Sequence, residues 1–115
     1  MLASVASMID QFNLPNIRLL LDMGFEVHVA CNFRKGNTCD AYRLQGLQKK
    51  LRDMQVTLHQ WDCPRSISSV KQCRRAYAQL AGLAACCGFD WMHCHSPVGG
   101  ALARIVAHRY GIPVV

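Results

Sequence analysis

The stretch Trp91-Met92-His93-Cys94-His95-Ser96-Pro97-Val98-Gly99-Gly100 reads as a buried strand that runs into a polar loop and then directly into a helix. Downstream, that helix starts near Val98, turns Leu102, Ile105 and Val106 inward and stops at Gly111. Ile112-Pro113-Val114-Val115 then opens another strand. Upstream, Asp90 leads in from Gly88, the expected end of a long helix opened by Ser68 or Ser69. Val70, Cys73, Tyr77, Leu80, Ala84 and Cys87 mark the apolar face of that helix.

The same unit recurs towards the start of the chain. Val56 to His59 is a short strand, followed by a loop from Trp61 to Ser66 containing Pro64. Before it, Asp40 caps a helix with Leu44, Leu47, Leu51 and Met54 inside and Lys49, Lys50 and Arg52 facing water. A turn-rich loop, Cys31 to Thr38, separates this helix from the strand Phe25 to Ala30. In that strand Phe25, Val27 and Val29 alternate with Glu26 and His28. Gly24 ends a first helix that Asn13 caps and Pro15 enters, with Leu14, Ile17, Leu20 and Leu21 on one face. Ser7 to Phe12 is expected to be a loop, and Met1 to Val5 the tail of a strand whose beginning is missing.

Strict alternation of strand and helix predicts an α/β fold: one parallel sheet, order 3-2-1-4-5 in five expected strands, with helices on both faces. Such sheets bind ligands beyond the carboxyl ends of their strands, where the winding reverses. That point lies between the expected first and fourth strands, so Ala6 to Phe12 and His95 to Gly100 are the candidate loops.

At 115 residues the chain is one domain, 1–115, long enough to bury roughly two thirds of its unfolded surface. Apolar residues make up 51%, which excludes disorder, and no apolar run nears the roughly 20 residues of a membrane span. The first nine residues lack the features of a signal peptide. Seven cysteines without a Cys-x-x-Cys pair fit neither a disulfide framework nor a zinc ribbon, and are expected as small thiols in a reducing cytoplasm. The net charge of +6 suits solvated helix faces, a phosphorylated ligand or peripheral contact with anionic lipid. Aromatics are not interleaved with the charges, so nucleic acid is not an expected partner.

In the loop after Cys94, Ser96 can cap the helix, and unpaired helix-start amides favour an anion. Gly99 and Gly100 either let a ligand approach the backbone or permit close helix-on-sheet packing. His95, at the strand end, can bond a hydroxyl or phosphate or act as a base. His93 reads as a core histidine. The pair lacks a third ligand nearby, so no metal site is expected. Asp10 either accepts hydrogen bonds from a hydroxylated ligand or serves its own turn. There is no G-x-G-x-x-G, no phosphate-cradling G-x-x-x-x-G-K-[ST] and no G-x-S-x-G elbow.

Three segments carry a family resemblance: Ser4 to Ile17, Gly24 to Asn32, and His93 to Gly100. Together they resemble the N-terminal domain of bacterial family 4 glycosyltransferases, of the capsular and exopolysaccharide type. The resemblance implies a Rossmann-like three-layer domain, here truncated at both ends. It would be the acceptor-side half of a two-domain, cytoplasmic enzyme, or one peripheral at the inner membrane face. The donor substrate would be a nucleotide-sugar, the acceptor a glycan or lipid-linked sugar, and the transfer retaining, metal-independent and without a cofactor. By similarity, Ser7 and Asp10 would border acceptor and donor phosphates, and His95, Ser96, Gly99 and Gly100 would line the same cleft. Family members carry on into a donor-binding domain that is expected to be missing here, so the chain alone is expected to be inactive and to pair through exposed edges. The alternatives are a stand-alone module for a small phosphorylated ligand and a non-catalytic interaction domain.

Overall fold

A computed structural model describes Met1–Val115. Two regular strands pair in parallel, β1 (His28–Cys31) and β2 (Thr57–Gln60), with His28 opposite Thr57 and Cys31 opposite Gln60. Further extended segments join them through isolated parallel bridges: Leu2 to Ala30 and to Cys94, and Met92 to Val114. The helices are α1 (Ala6–Met8), α2 (Leu14–Asp22), α3 (Ala41–Asp53), α4 (Val70–Cys87) and α5 (Pro97–Tyr110), with one wide π-type turn at Ile9–Asn13. The molecule is thus α/β, with strand pairing that is parallel throughout.

Successive residues of an extended segment point to opposite faces. Leu2 and Ala30 accordingly join a buried cluster with Trp61, Leu80, Met92, Leu102 and Val106, beneath α4 and α5. Ala3, Val29 and Cys31 join a second cluster with Ile9, Ile17, Leu44, Leu47 and Leu51, beneath α2 and α3. Helices therefore cover both sides of the strands.

Local signals set the helix ends. The Asp40 carboxylate accepts from the Arg43 amide at 2.8 Å, and the Ser69 hydroxyl from the Gln72 amide at 3.3 Å. Gly88 (φ 59°) closes α4 in the left-handed region, where a side chain would be strained.

Several sequence expectations give way. The loop expected at Ser7 to Phe12 is helical: α1, the wide turn and α2 run on without a break. Pro15, inside this run, has no amide to donate and crowds the preceding turn, and a π-type widening accommodates both defects. Asn13 is consequently no side-chain cap, and its Nδ2 donates to the Met8 carbonyl instead. In α4 the buried positions are Ala76, Leu80, Ala81 and Ala84, while Val70 is exposed. In α5 Ala103 and Ala107 are buried and Ile105 faces water. The two helices pack on each other, and small side chains let their backbones come close. Of the seven free thiols only Cys31 and Cys63 are buried, and Cys86 is exposed. No helix is long and apolar enough to cross a membrane.

Candidate functional site

The carboxyl ends of the first extended segment, β1 and β2 open onto a hollow of about 340 Å³. Val5 contributes from the first segment, Asn32 to Gly36 from the loop after β1, and Asp62 to Arg65 from the loop after β2. Four cationic side chains line it, Arg34, Lys35, Arg65 and Arg75, against one carboxylate, Asp62. The loop after β1 is built on Asn32, whose Oδ1 accepts from the Arg34 and Lys35 amides at 3.0 Å each. Gly36 turns the chain at φ +77°, and a Cβ there would sit 3.1 Å from Val5 Cγ1. The position therefore requires glycine on two counts.

Asp62 holds the other wall. Its carboxylate accepts from Gln60 Nε2 at 2.8 Å and Gln79 Nε2 at 2.9 Å, and pairs with Arg75 at 2.9 Å. The bonds from Gln60 and Gln79 hold its acid constant below the ordinary 3.8. A lowered folded value means that the stabilisation is complete above the unfolded value and is lost as pH falls through the folded one. Asp62→Asn is expected to cost about 1 kcal/mol at neutral pH. The gap from the parent should close in acid unfolding series below about pH 4, and a gap constant down to acid would contradict this account.

The His95–Gly100 loop contributes no residue to the lining of this hollow and packs instead against the buried Trp61. An added Cβ on Gly99 would lie 3.3 Å from the Trp61 ring, and the residues following Trp61 line the hollow. His95 lies on the same side as His93, with ring centroids 4.2 Å apart. Burial first, then neighbouring His93, keeps the His95 acid constant below 6.5, so its ring is neutral at pH 7. His95 Nε2 is buried without a hydrogen-bond partner, and so is Ser96 Oγ. Ser96 takes the backbone position of a helix cap but its hydroxyl makes no capping bond, which corrects the expected role. Each orphaned atom costs about 1–3 kcal/mol, so this loop carries unmet hydrogen-bonding capacity in two adjacent residues. Gly99 and Gly100 are both buried. The Cβ distances put Gly99 against Trp61 and Ser96, as close packing requires.

The helix-borne candidates are engaged elsewhere. Ser7 is buried, its amide donates to Asn37 Oδ1 at 3.0 Å, and its hydroxyl accepts from the Thr38 amide at 3.5 Å. Ser7 thereby anchors the loop whose other end carries Arg34 and Lys35. The Asp10 carboxylate pairs with Arg43 Nε at 2.6 Å, against α3, and no hydrogen bond links it to His95. Sequence reading missed Arg34, Lys35 and Arg65 as site residues, because only the parallel pairing of β1 and β2 brings their loops together. It also missed the approach of His28, His59 and Cys87, from β1, β2 and α4, whose ligand atoms lie within 4.8 Å of one another.

The family profile described as "Glycosyl transferase 4-like" matches residues 5–115. The chain is also 33% identical over 107 residues to the protein named "Putative glycosyltransferase EpsD" of Bacillus subtilis (strain 168). That alignment covers 90% of this chain and 24% of the relative, so the chain spans about a quarter of the length of the curated protein it matches. No solved structure matches it significantly.

Proposed function

The chain belongs to the glycosyl transferase 4-like family, and from that premise we propose that it is the acceptor-side domain of a glycosyltransferase. The whole enzyme would move a sugar from a nucleotide-sugar donor to a polysaccharide or lipid-linked acceptor in exopolysaccharide or capsule synthesis, at the cytoplasmic membrane face. The bridges at Leu2, Met92 and Cys94 support an expected sheet order of 3-2-1-4-5, which puts the basic hollow and the His95 loop on one carboxyl-end rim.

The observation that carries the reading is the set of four cations around the hollow, Arg34, Lys35, Arg65 and Arg75. Arginine forks suit phosphate oxygens in particular. A lipid-linked acceptor bears a diphosphate, as a nucleotide-sugar does, so titration with each decides which of the two these cations hold. On this reading Arg34 and Arg65 hold the diphosphate, while His95 Nε2 and Ser96 Oγ reach the sugar hydroxyls when the loop adjusts around substrate. Transfer would be retaining and independent of metal, with the donor held by a second domain. These 115 residues would then bind acceptor but not turn over, because closure between two domains positions the reacting groups.

The test is a calorimetric titration of the chain with a short-chain polyprenyl diphosphate sugar and, separately, with a uridine diphosphate sugar. The acceptor mimic is expected to bind and the nucleotide-sugar to bind weakly. Arg34→Ala with Arg65→Ala should weaken the mimic about tenfold or more, since a hydrogen bond to a charged group is worth about 1.5–3 kcal/mol. Tight binding of the nucleotide-sugar with none of the mimic would overturn the assignment to the acceptor side.

A further inference from the structure

We propose that His28, His59 and Cys87 form a zinc site that ties the carboxyl end of α4 to β1 and β2. His28 Nδ1 lies 3.0 Å from His59 Nε2, and one ligand atom of each of the three residues lies within 4.8 Å of the other two. Tetrahedral zinc with bonds of about 2.0–2.1 Å to nitrogen and about 2.3 Å to sulfur sets its ligand atoms about 3.3–3.6 Å apart. The nitrogens already stand near that spacing, and the thiol has at most about 1.5 Å to close.

The surroundings fit a metal in three further ways. First, Glu26 Oε1 sits 2.9 Å from His28 Nε2. A carboxylate only accepts, so the neutral ring of His28 donates from Nε2 and leaves Nδ1 as the lone pair directed at His59. A carboxylate behind a ligand histidine is the usual outer partner of a zinc site, fixing tautomer and ring orientation. Second, charge closes: one thiolate and the Glu26 carboxylate balance the dication. Third, the fourth position has room, because Glu26, His28 and Cys87 all line a hollow of about 150 Å³. The other close histidine pair, His93 and His95, belongs to no such group of three ligand residues.

Binding needs no redox step. Cys87 loses its thiol proton to solvent as the sulfur–zinc bond forms. His59, which donates from Nε2 to His28 without metal, moves that proton to Nδ1 and offers the Nε2 lone pair. One proton is released per zinc. The cluster sits where β1 begins, whereas the basic hollow lies beyond where β1 ends, so a metal here stands away from that hollow and, with three protein ligands, keeps one position for water. It pins the last turn of α4 immediately before Gly88 and the segment leading to His93.

Cobalt is the probe, since its thiolate complex absorbs where zinc is silent. The reduced, tag-free, chelator-stripped chain is titrated with Co²⁺ and then Zn²⁺. The expected result is one equivalent bound, with a near-ultraviolet thiolate-to-cobalt band, intense tetrahedral visible bands, bleaching by zinc, and a raised melting temperature with zinc. Cys86→Ser keeps the band, Cys87→Ser abolishes it, and Glu26→Gln weakens binding about tenfold or more. A folded parent chain that shows no thiolate band with excess cobalt overturns the proposal, as does a band that persists in Cys87→Ser. The parent titration alone decides the matter if a variant fails to fold.

Discussion

Trp61→Ala is expected to remove about 3–5 kcal/mol from the stability of the domain, the range for large aromatic truncations in cores. The side chain is fully buried between the strands and the α4–α5 layer, and its indole Nε1 donates to the Ala76 carbonyl at 2.9 Å. Truncation removes that bond and opens a cavity within the buried cluster that also holds Leu80, Leu102 and Ala103. The Ala76 carbonyl stays within α4 and keeps its helical acceptor role, so the loss is mainly one of packing. A domain of this size has a total of about 5–15 kcal/mol, so the variant sits close to unfolding at 37 °C. Urea unfolding followed by far-ultraviolet circular dichroism measures the loss. Trp61→Phe should give up less than half as much, since it keeps most of the apolar volume. A cost below about 1 kcal/mol for alanine would mean that α4 and α5 do not rest on this ring.

The sequence made the helix ends legible because caps are local. Asp40, Ser69, Gly24, Gly88 and Gly111 each act within a few residues, and each sits where its type predicts. The inner faces of α4 and α5 were less legible. Leu80, Ala84, Leu102 and Val106 are buried as expected, but Val70 and Ile105, selected with them, face water, and Ala76, Ala81, Ala103 and Ala107 are buried alongside. Small residues let two helices approach closely, and nothing in one helix alone reports its distance from another. The run from Ala6 to Asn13 failed for a related reason. Pro15 argues for a helix start, and a widened turn that lets a helix pass through it leaves no mark on the sequence.

Much the same divides the candidate site. His95 and Ser96 were readable because they follow a strand and open a helix, and their unpartnered atoms give that position chemical content. The cations of the hollow were readable only as charge. Arg34 and Lys35 lie some thirty residues from Arg65 in the chain, and register, Cys31 opposite Gln60, is what aligns the loops that carry them. Asp10, chosen for its place after the first extended segment, is drawn aside by Arg43. The wide turn sets its direction, and a loop reading had no means to give one.

Gly99→Val is the second large expected effect, a loss of about 3 kcal/mol, at the upper end for overpacking. A Cβ at Gly99 would stand 2.4 Å from Ser96 Oγ and 3.3 Å from the Trp61 ring. Alanine needs only that the Ser96 hydroxyl rotate and the ring yield slightly. A helix gains up to about 1 kcal/mol over glycine from alanine, so Gly99→Ala should stay within about 1 kcal/mol of the parent. Valine adds two methyl groups that the ring cannot clear. If Trp61 is the wall, the cavity of Trp61→Ala should take them up. Valine would then cost at least about 1 kcal/mol less in that background, a coupling of the size seen between touching residues. An equal cost in both backgrounds would place the obstruction elsewhere. The alanine variant also separates the two roles of this glycine. Under close packing, Gly99→Ala keeps the diphosphate contacts of Arg34 and Arg65 and loses at most the bond from the displaced Ser96 hydroxyl, a weakening of about tenfold or less. Under close approach of a ligand to the backbone, it keeps its stability and loses that binding. The burial of Gly99 between Ser96 and Trp61 favours the first outcome.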